Sequence, residues 1–282
     1  MKRTEYYKVA EHVFSVSAEM FFENYEPFLT EKVDKPLFSL EVFNESFSGV
    51  FTHEISQEEE GQAIICGHTE EQKSVFEFWL NGKKAGVLIT SSDYKNNALY
   101  VENGFEKFSV DNALMIIFAL STAIKSTLLF HSSVIIYQGK GYMFLGKSGT
   151  GKSTHSRLWL QNILGSRLLN DDNPVVRIFP EGIKVFGSPW SGKTECYKNE
   201  EVPLGAIVLL SQAKYNKISE LKGVMAYVAL VPSVSGKRWD KVLADNLHAS
   251  ETALIEKTKI WHLECLPDKD AAILCKNTIS CN

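Results

Sequence analysis

The stretch "FLGKSGTGKSTHSRLWL", Phe144 to Leu160, contains Gly146-x-x-x-x-Gly151-Lys152-Ser153, a spacing suited to holding the phosphates of a nucleotide. Its glycines let backbone N–H groups turn inward onto phosphate oxygens, the lysine adds a mobile positive charge, and the serine hydroxyl reaches Mg2+. The expected cradle is Gly146, Ser148, Gly149, Thr150 and Gly151, with Lys152, Ser153 and Thr154 opening the helix behind it. "YMFL" before the loop reads as a strand and the run after it as a helix, the context this chemistry needs.

Two further groups could act on the same phosphates. In "SRLLNDDNPVVRI" an apolar strand ends in Asp171-Asp172. Neighbours on an extended strand project to opposite sides, so the two carboxylates divide the work. One can hold the Mg2+ that bridges the phosphates, while the other takes the proton of a substrate hydroxyl. The second group is "GSPWSGKTECYKN", a glycine-punctuated loop carrying Trp190, Lys193 and Lys198. Folded over nucleotide or acceptor, it would let Lys193 neutralise charge on the transferred group. His155, one turn after Lys152, reads as helix surface.

These groups need elements to bring them together. "HSSVIIYQ" and "YMFLG" are separated only by Gly139-Lys140-Gly141, and a link that short joins antiparallel strands. Switch GTPases and motor ATPases flank the phosphate-loop strand with parallel neighbours, so the hairpin counts against both. A turn centred on Gly139 and Lys140 sets position 131 opposite position 148, to within about two residues, and brings His131 beside the loop. The strand ending in Asp171-Asp172 is expected directly beside the phosphate-loop strand, its carboxyl end at the same edge of the sheet, where ligands collect.

The rest of the chain supplies the frame. From Tyr6 to about Tyr100 short runs rich in β-branched and aromatic residues alternate with polar ones, and Asn81-Gly82 is a tight-hairpin dipeptide. From Val110 to Ser126 the sequence is apolar around the helical wheel, with Ser109 or Asp111 near the cap; beyond it strands and helices alternate. The expected organisation is a β-rich region over residues 1–108 and an α/β phosphate-loop domain over 109–282. A chain of 282 residues with net charge −4 carries no general signal for nucleic-acid or membrane adhesion. The apolar run "ALMIIFALSTAI" reads as too short to span a bilayer, and the amino terminus lacks the apolar core of a signal peptide. Five cysteines without a C-x-x-C pair suggest free thiols. The expectation is a cytoplasmic protein, with a homo-oligomer left open.

The segment "HSSVIIYQGKGYMFLGKSGTGKST" followed by "LLNDDNPVV" resembles the catalytic domain of the HPr kinase/phosphorylase family, over about residues 130 to 211. That family shares its fold with phosphoenolpyruvate carboxykinase. The resemblance implies a mixed-sheet P-loop kinase using ATP and Mg2+, in which Lys152 and Ser153 meet phosphate and metal. It makes Asp171 the base that activates a hydroxyl acceptor, Asp172 a metal or site-shaping carboxylate, and His131 its neighbour. The chain departs from the pattern at Thr154, where the family has Glu, and at "SPWSGKTE", which replaces an acidic-Ile-Arg-Gly stretch. The acceptor implied is a hydroxyl of a protein, peptide or small molecule. Two other functions fit the same loop. A carboxykinase-like enzyme would need arginines gathered at the substrate, and a nucleotide-binding sensor would need no chemistry.

Overall fold

The computed structural model describes residues 1–192 and 194–280. It is a mixed α/β chain with two large mixed sheets and two compact units, Met1–Ser121 and Thr122–Asn282.

The first unit contains β1 (Arg3–Val9), β2 (His12–Ala18), β3 (Leu29–Thr30), β4 (Ser39–Phe43), β5 (Thr52–Glu59), β6 (Gln62–His68), β7 (Ser74–Leu80), β8 (Lys83–Thr90), β9 (Asn96–Val101) and helix α1 (Glu106–Thr122). Its nine strands lie in the order β3-β1-β2-β4-β9-β8-β7-β6-β5. Asn81 and Gly82 both take positive φ, 50° and 74°, and close the β7–β8 hairpin as their residue types dictate. Ala10 and Glu11 do the same between β1 and β2 at φ 45° and 63°, closing a second hairpin.

Helix α1 explains why this unit runs to Ser121 instead of ending at residue 108. Its residues are anchored in the first unit: Ser109 Oγ donates to the Ala85 carbonyl of β8 (2.9 Å), and Asp111 accepts from Asn24 Nδ2 (3.0 Å) and Tyr25 Oη (2.8 Å) of the short 3-10 helix Glu23–Phe28. Ser109 and Asp111 are therefore packing residues inside the helix, not caps. The helical segment Glu106–Lys125 is 20 residues long and, by length and composition, apolar enough to cross a membrane, longer than the apolar run alone suggested. Here its apolar residues form core: Ala113, Leu114, Ile117 and Phe118 are buried, and Phe118 meets Phe14 edge-on.

The second unit contains β10 (Thr127–Leu129), β11 (Ser132–Tyr137), β12 (Lys140–Leu145), α2 (Lys152–Asn162), β13 (Arg167–Asp172), β14 (Val175–Phe179), β15 (Gly182–Phe186), β16 (Glu201–Gln212), β17 (Lys217–Leu221), α3 (Gly223–Leu230), α4 (Lys241–Lys257), β18 (Ile260–Cys265) and α5 (Lys269–Ile279). The strand order is β10-β14-β15-β16-β12-β11-β13, with β18 also pairing β16 and β17 pairing β18. β12 has β11 as its antiparallel neighbour and β16 as its parallel one. The β11–β12 turn is centred on Gln138-Gly139, both at positive φ (48° and 75°), one residue earlier than the glycines suggested.

Helices α2 and α5 cover one face of this sheet. Ile135, Tyr142, Phe144, Trp159, Val208 and Cys275 belong to the shared core, which is nearly solvent-free. His155 lies in that core and not on the helix surface. Its Nε2 accepts a hydrogen bond from Trp159 Nε1 (3.1 Å), and the Phe144 ring packs edge-on against it. Burial lowers its pKa to about 4, so the imidazole is neutral in the folded protein.

The linkage has a definite sign. The unfolded chain takes up this proton near pH 6.5 and the folded chain only near 4, so His155 favours folding fully above pH 6.5 and progressively less as pH falls toward 4. In His155→Gln, the loss of unfolding free energy between pH 7 and 4.5 is expected to be smaller than in wild type by about 2 kcal/mol. Urea titrations at the two pH values check it, and equal losses in both proteins would refute the assignment.

Candidate functional site

The glycine loop joins the end of β12 to the start of α2, and its shape follows from its glycines. Gly146, Gly149 and Gly151 have φ of 152°, 77° and 104°. A Cβ on Gly146 would lie 2.4 Å from Thr150 Oγ1 and 3.3 Å from the Leu210 carbonyl oxygen. Thr150 folds the loop on itself, its N and Oγ1 both donating to the Lys147 carbonyl (3.2 and 2.7 Å). Lys152 Nζ crosses the loop to the Gly146 carbonyl oxygen (2.9 Å). Gln212, at the end of β16, donates from Nε2 to the Gly149 carbonyl (3.1 Å). Gly151 is the N-cap of α2 and no side chain caps the helix. The first-turn N–H groups, which have no acceptor inside a helix, thus begin at the loop. Ser148 and Ser153 are exposed here, and Thr154 is half-buried.

His131 sits one residue before β11. The β11–β12 register, Ser133 with Phe144 and Val134 with Met143, continues to place position 131 opposite Gly146, the first glycine of the loop. The acidic strand is not the direct neighbour of β12. β11 lies between β12 and β13, and β13 forms the edge of the sheet. Because β13 is antiparallel to β11, which is antiparallel to β12, its carboxyl end still reaches the edge where the loop begins. Asp171, Ser133 and Phe144 form one cross-strand row, and Asp172 pairs with Ser132. Two strand spacings, roughly 10 Å, separate Asp171 from Phe144 along that row.

The two carboxylates have different surroundings, as alternation requires. Directly paired residues share a face. In the Asp171 row, Ser133 Oγ is 2.6 Å from Ser156 Oγ of α2, and Phe144 packs against His155 and Trp159. Asp171 therefore stands on the face covered by α2. It is 5% exposed, and its Oδ1 has no hydrogen-bond partner. Asp172 is half-buried; its Oδ2 accepts from Asn173 Nδ2 (2.8 Å), and its Oδ1 is 3.6 Å from His131 Nε2. An orphaned, desolvated carboxylate oxygen is costly and uncommon, so Asp171 is the unusual group of the pair.

The loop after β15 covers the outer edge of β13 instead of arching over the cradle. Gly192 N donates to the Asp171 carbonyl (3.0 Å), Asp172 and Ser191 form a β-bridge, and Cys196 Sγ meets the Leu169 carbonyl (3.3 Å). Asn170 Nδ2 donates to Ser188 Oγ and to the Trp190 carbonyl, both at 3.1 Å. Gly192 is needed for close approach: a Cβ there would lie 2.9 Å from the Asp171 carbonyl oxygen. Trp190 is buried, and Lys198 Nζ is bound to the Leu168 carbonyl. Lys193 lies outside the described residues.

Several supporting residues were invisible in the sequence. Ser133, Ser156 and Gln212 act through tertiary contacts, whereas Gly192 reads from the sequence only as punctuation of its loop. Gln212 alone carried a clue, as the last residue of an apolar strand that can lie parallel to the loop strand. Three of the arginines that a carboxykinase-type site could gather are engaged elsewhere. Arg167 pairs with Glu200, Arg177 lies over the Phe179 ring, and Arg238 pairs with Glu251.

No family model and no curated protein matches this chain. Among the described residues no three His, Cys, Asp or Glu side chains converge as a metal cage. Mg2+ bound with nucleotide phosphates takes one or two protein ligands, so its fit rests on the donor set at the loop. Ser153 and Asp172 provide hard oxygen donors of the kind it accepts.

Proposed function

We propose that the protein is an ATP- and Mg2+-dependent phosphotransferase of the HPr kinase-like group, moving the γ-phosphate to a hydroxyl of a protein or peptide. The observation that carries this is Asp171: a buried carboxylate with an unpartnered oxygen, on the α2 face, at the sheet edge where the glycine loop starts. The antiparallel hairpin feeding the loop also supports this group of kinases over switch GTPases.

In this reading the backbone of Gly146 to Gly151 and the α2 N-terminus hold the phosphates, and Lys152 neutralises charge on them. Ser153 and Asp172 would hold Mg2+, which when bound supplies electrostatic stabilisation of the phosphate oxygens. Asp171 accepts the acceptor's hydroxyl proton as the new O–P bond forms and the bond to ADP breaks. His131 faces Asp172 and limits how far that carboxylate can turn.

The direct test is incubation with Mg2+, [γ-32P]ATP and a degenerate peptide mixture centred on serine. Label on phosphoserine is expected. Label appearing only as inorganic phosphate, or tight ATP binding with no turnover, would replace this reading with a hydrolase or a sensor.

A further inference from the structure

Resting on the phosphotransfer reading, we infer that Arg238 is a positioning residue for the His131–Asp172 side of the site, acting through the turn that follows α3. The chain between β10 and β11 changes partners. β10 pairs with β14, whereas β11 pairs with β12 and β13, so Phe130 and His131 lie between two ladders. Other contacts hold them. Phe130 N donates to the Pro174 carbonyl (3.0 Å), Phe130 forms a β-bridge with Val234, His131 N donates to the Ser233 carbonyl (2.7 Å), and Ser235 N donates to the Leu129 carbonyl (2.9 Å). The backbone position of His131 is thus set by the turn from Val231 to Ser235.

Besides its own Val234 N to Val231 carbonyl hydrogen bond (3.2 Å), that turn is gathered by one guanidinium. Arg238 Nη2 donates to the Val231 carbonyl (3.1 Å), the Val234 carbonyl (3.4 Å) and Glu251 Oε1 (2.6 Å). Glu251, on α4, is fully buried and also accepts from Tyr227 Oη of α3 (3.2 Å). A buried ion pair adds little net stability over apolar side chains of similar volume. What apolar side chains could not supply is the two-armed guanidinium: Nη2 reaches both carbonyls of the turn and Glu251 Oε1, while Nη1 approaches Glu251 Oε2 (3.5 Å), so the turn and the α4 carboxylate meet at one planar group. The path runs from Glu251 through Arg238 and the turn to the His131 backbone, and from His131 Nε2 to Asp172 Oδ1 at 3.6 Å.

Two variants test it. Arg238→Met with Glu251→Leu removes both charges together, and Arg238→Lys keeps the charge facing Glu251 but not the fork. For each, three quantities are compared with wild type well below the unfolding midpoint: amide exchange at His131 and Ser235, affinity for Mg·ATP, and the initial rate of label transfer from [γ-32P]ATP to the serine-centred peptide mixture. The expected result is faster exchange at both amides, Mg·ATP affinity within about twofold, and transfer at saturating ATP lowered by about 10- to 100-fold, the scale of a small misplacement in a phosphoryl-transfer site. A folded variant of either kind that transfers at the wild-type rate overturns the positioning role and leaves the phosphotransfer reading standing. Unchanged exchange at His131 overturns the mechanical link. A wild-type protein that labels no peptide defeats the phosphotransfer reading itself, and this role with it.

Discussion

Asp171→Asn lowers phosphate transfer by about three orders of magnitude while changing the affinity for Mg·ATP by less than about threefold, the signature of a lost general base. The substitution keeps the size of the side chain and removes only its ability to take a proton. The Asp171 main chain is unaffected: its carbonyl still accepts from Gly192 N, and the row with Ser133 persists. The variant should therefore fold normally. Its thermal midpoint should not fall, because the wild-type carboxylate is 5% exposed with Oδ1 unpartnered, a group whose burial opposes folding. A residue that costs stability and supplies chemistry is the trade expected at a working site. Label transfer, calorimetric binding and a melting curve on one preparation decide the matter. Transfer at the wild-type rate removes Asp171 from the reaction, and loss of binding in parallel with transfer would make it part of the cradle instead.

How much of this could be read from the sequence depended on how local the cause was. The place and backbone of the glycine loop between strand and helix were legible, because they follow from residue types within a few positions: Gly146, Gly149 and Gly151 all take the positive φ their composition allows. The β11–β12 hairpin was legible for the same reason; its turn lies one residue earlier, and its pairing is shifted by two, because Gln138, not Lys140, shares the turn with Gly139. The Ala10-Glu11 hairpin had no such clue, since neither residue favours positive φ and the sheet imposes it. Strand adjacency was the larger error. Nothing in "SRLLNDD" says whether it lies next to β12 or one strand farther; that depends on which edge of the sheet is open after β11 has paired. His155 failed as a surface residue because its partners, Phe144 and Trp159, lie on a strand and on the next helical turn, where only packing brings them together. Helix α3 and strands β17 and β18 were not anticipated, and the turn that fixes His131 sits just after that helix.

Lys152→Ala, by contrast, should weaken Mg·ATP binding by about 10- to 100-fold and lower transfer by at least about 1,000-fold, because it removes two functions at once. The first is charge, a mobile ammonium at the phosphates. The second is shape. Lys152 Nζ spans the loop to the Gly146 carbonyl (2.9 Å), linking the first residue of α2 to the first glycine of the cradle. When a phosphate is present that ammonium can exchange a neutral carbonyl for an anionic oxygen, a stronger acceptor, so its best partner exists only in the loaded site. Truncation leaves Gly146 held by its surroundings alone, with Thr150 and Leu210 at its back. Lys152→Arg separates the two functions: it restores charge, but its planar fork cannot trace the same path inside so tight a loop, so binding should recover more than transfer. In the double variant with Asp171→Asn the losses in transfer should not add, since a group that takes the acceptor's proton has nothing to act on when the phosphate is misplaced. Full additivity, or an Mg·ATP affinity untouched in Lys152→Ala, would mean that the lysine and the carboxylate serve separate sites, and the convergence of the glycine loop with the end of β13 would then have no chemical meaning.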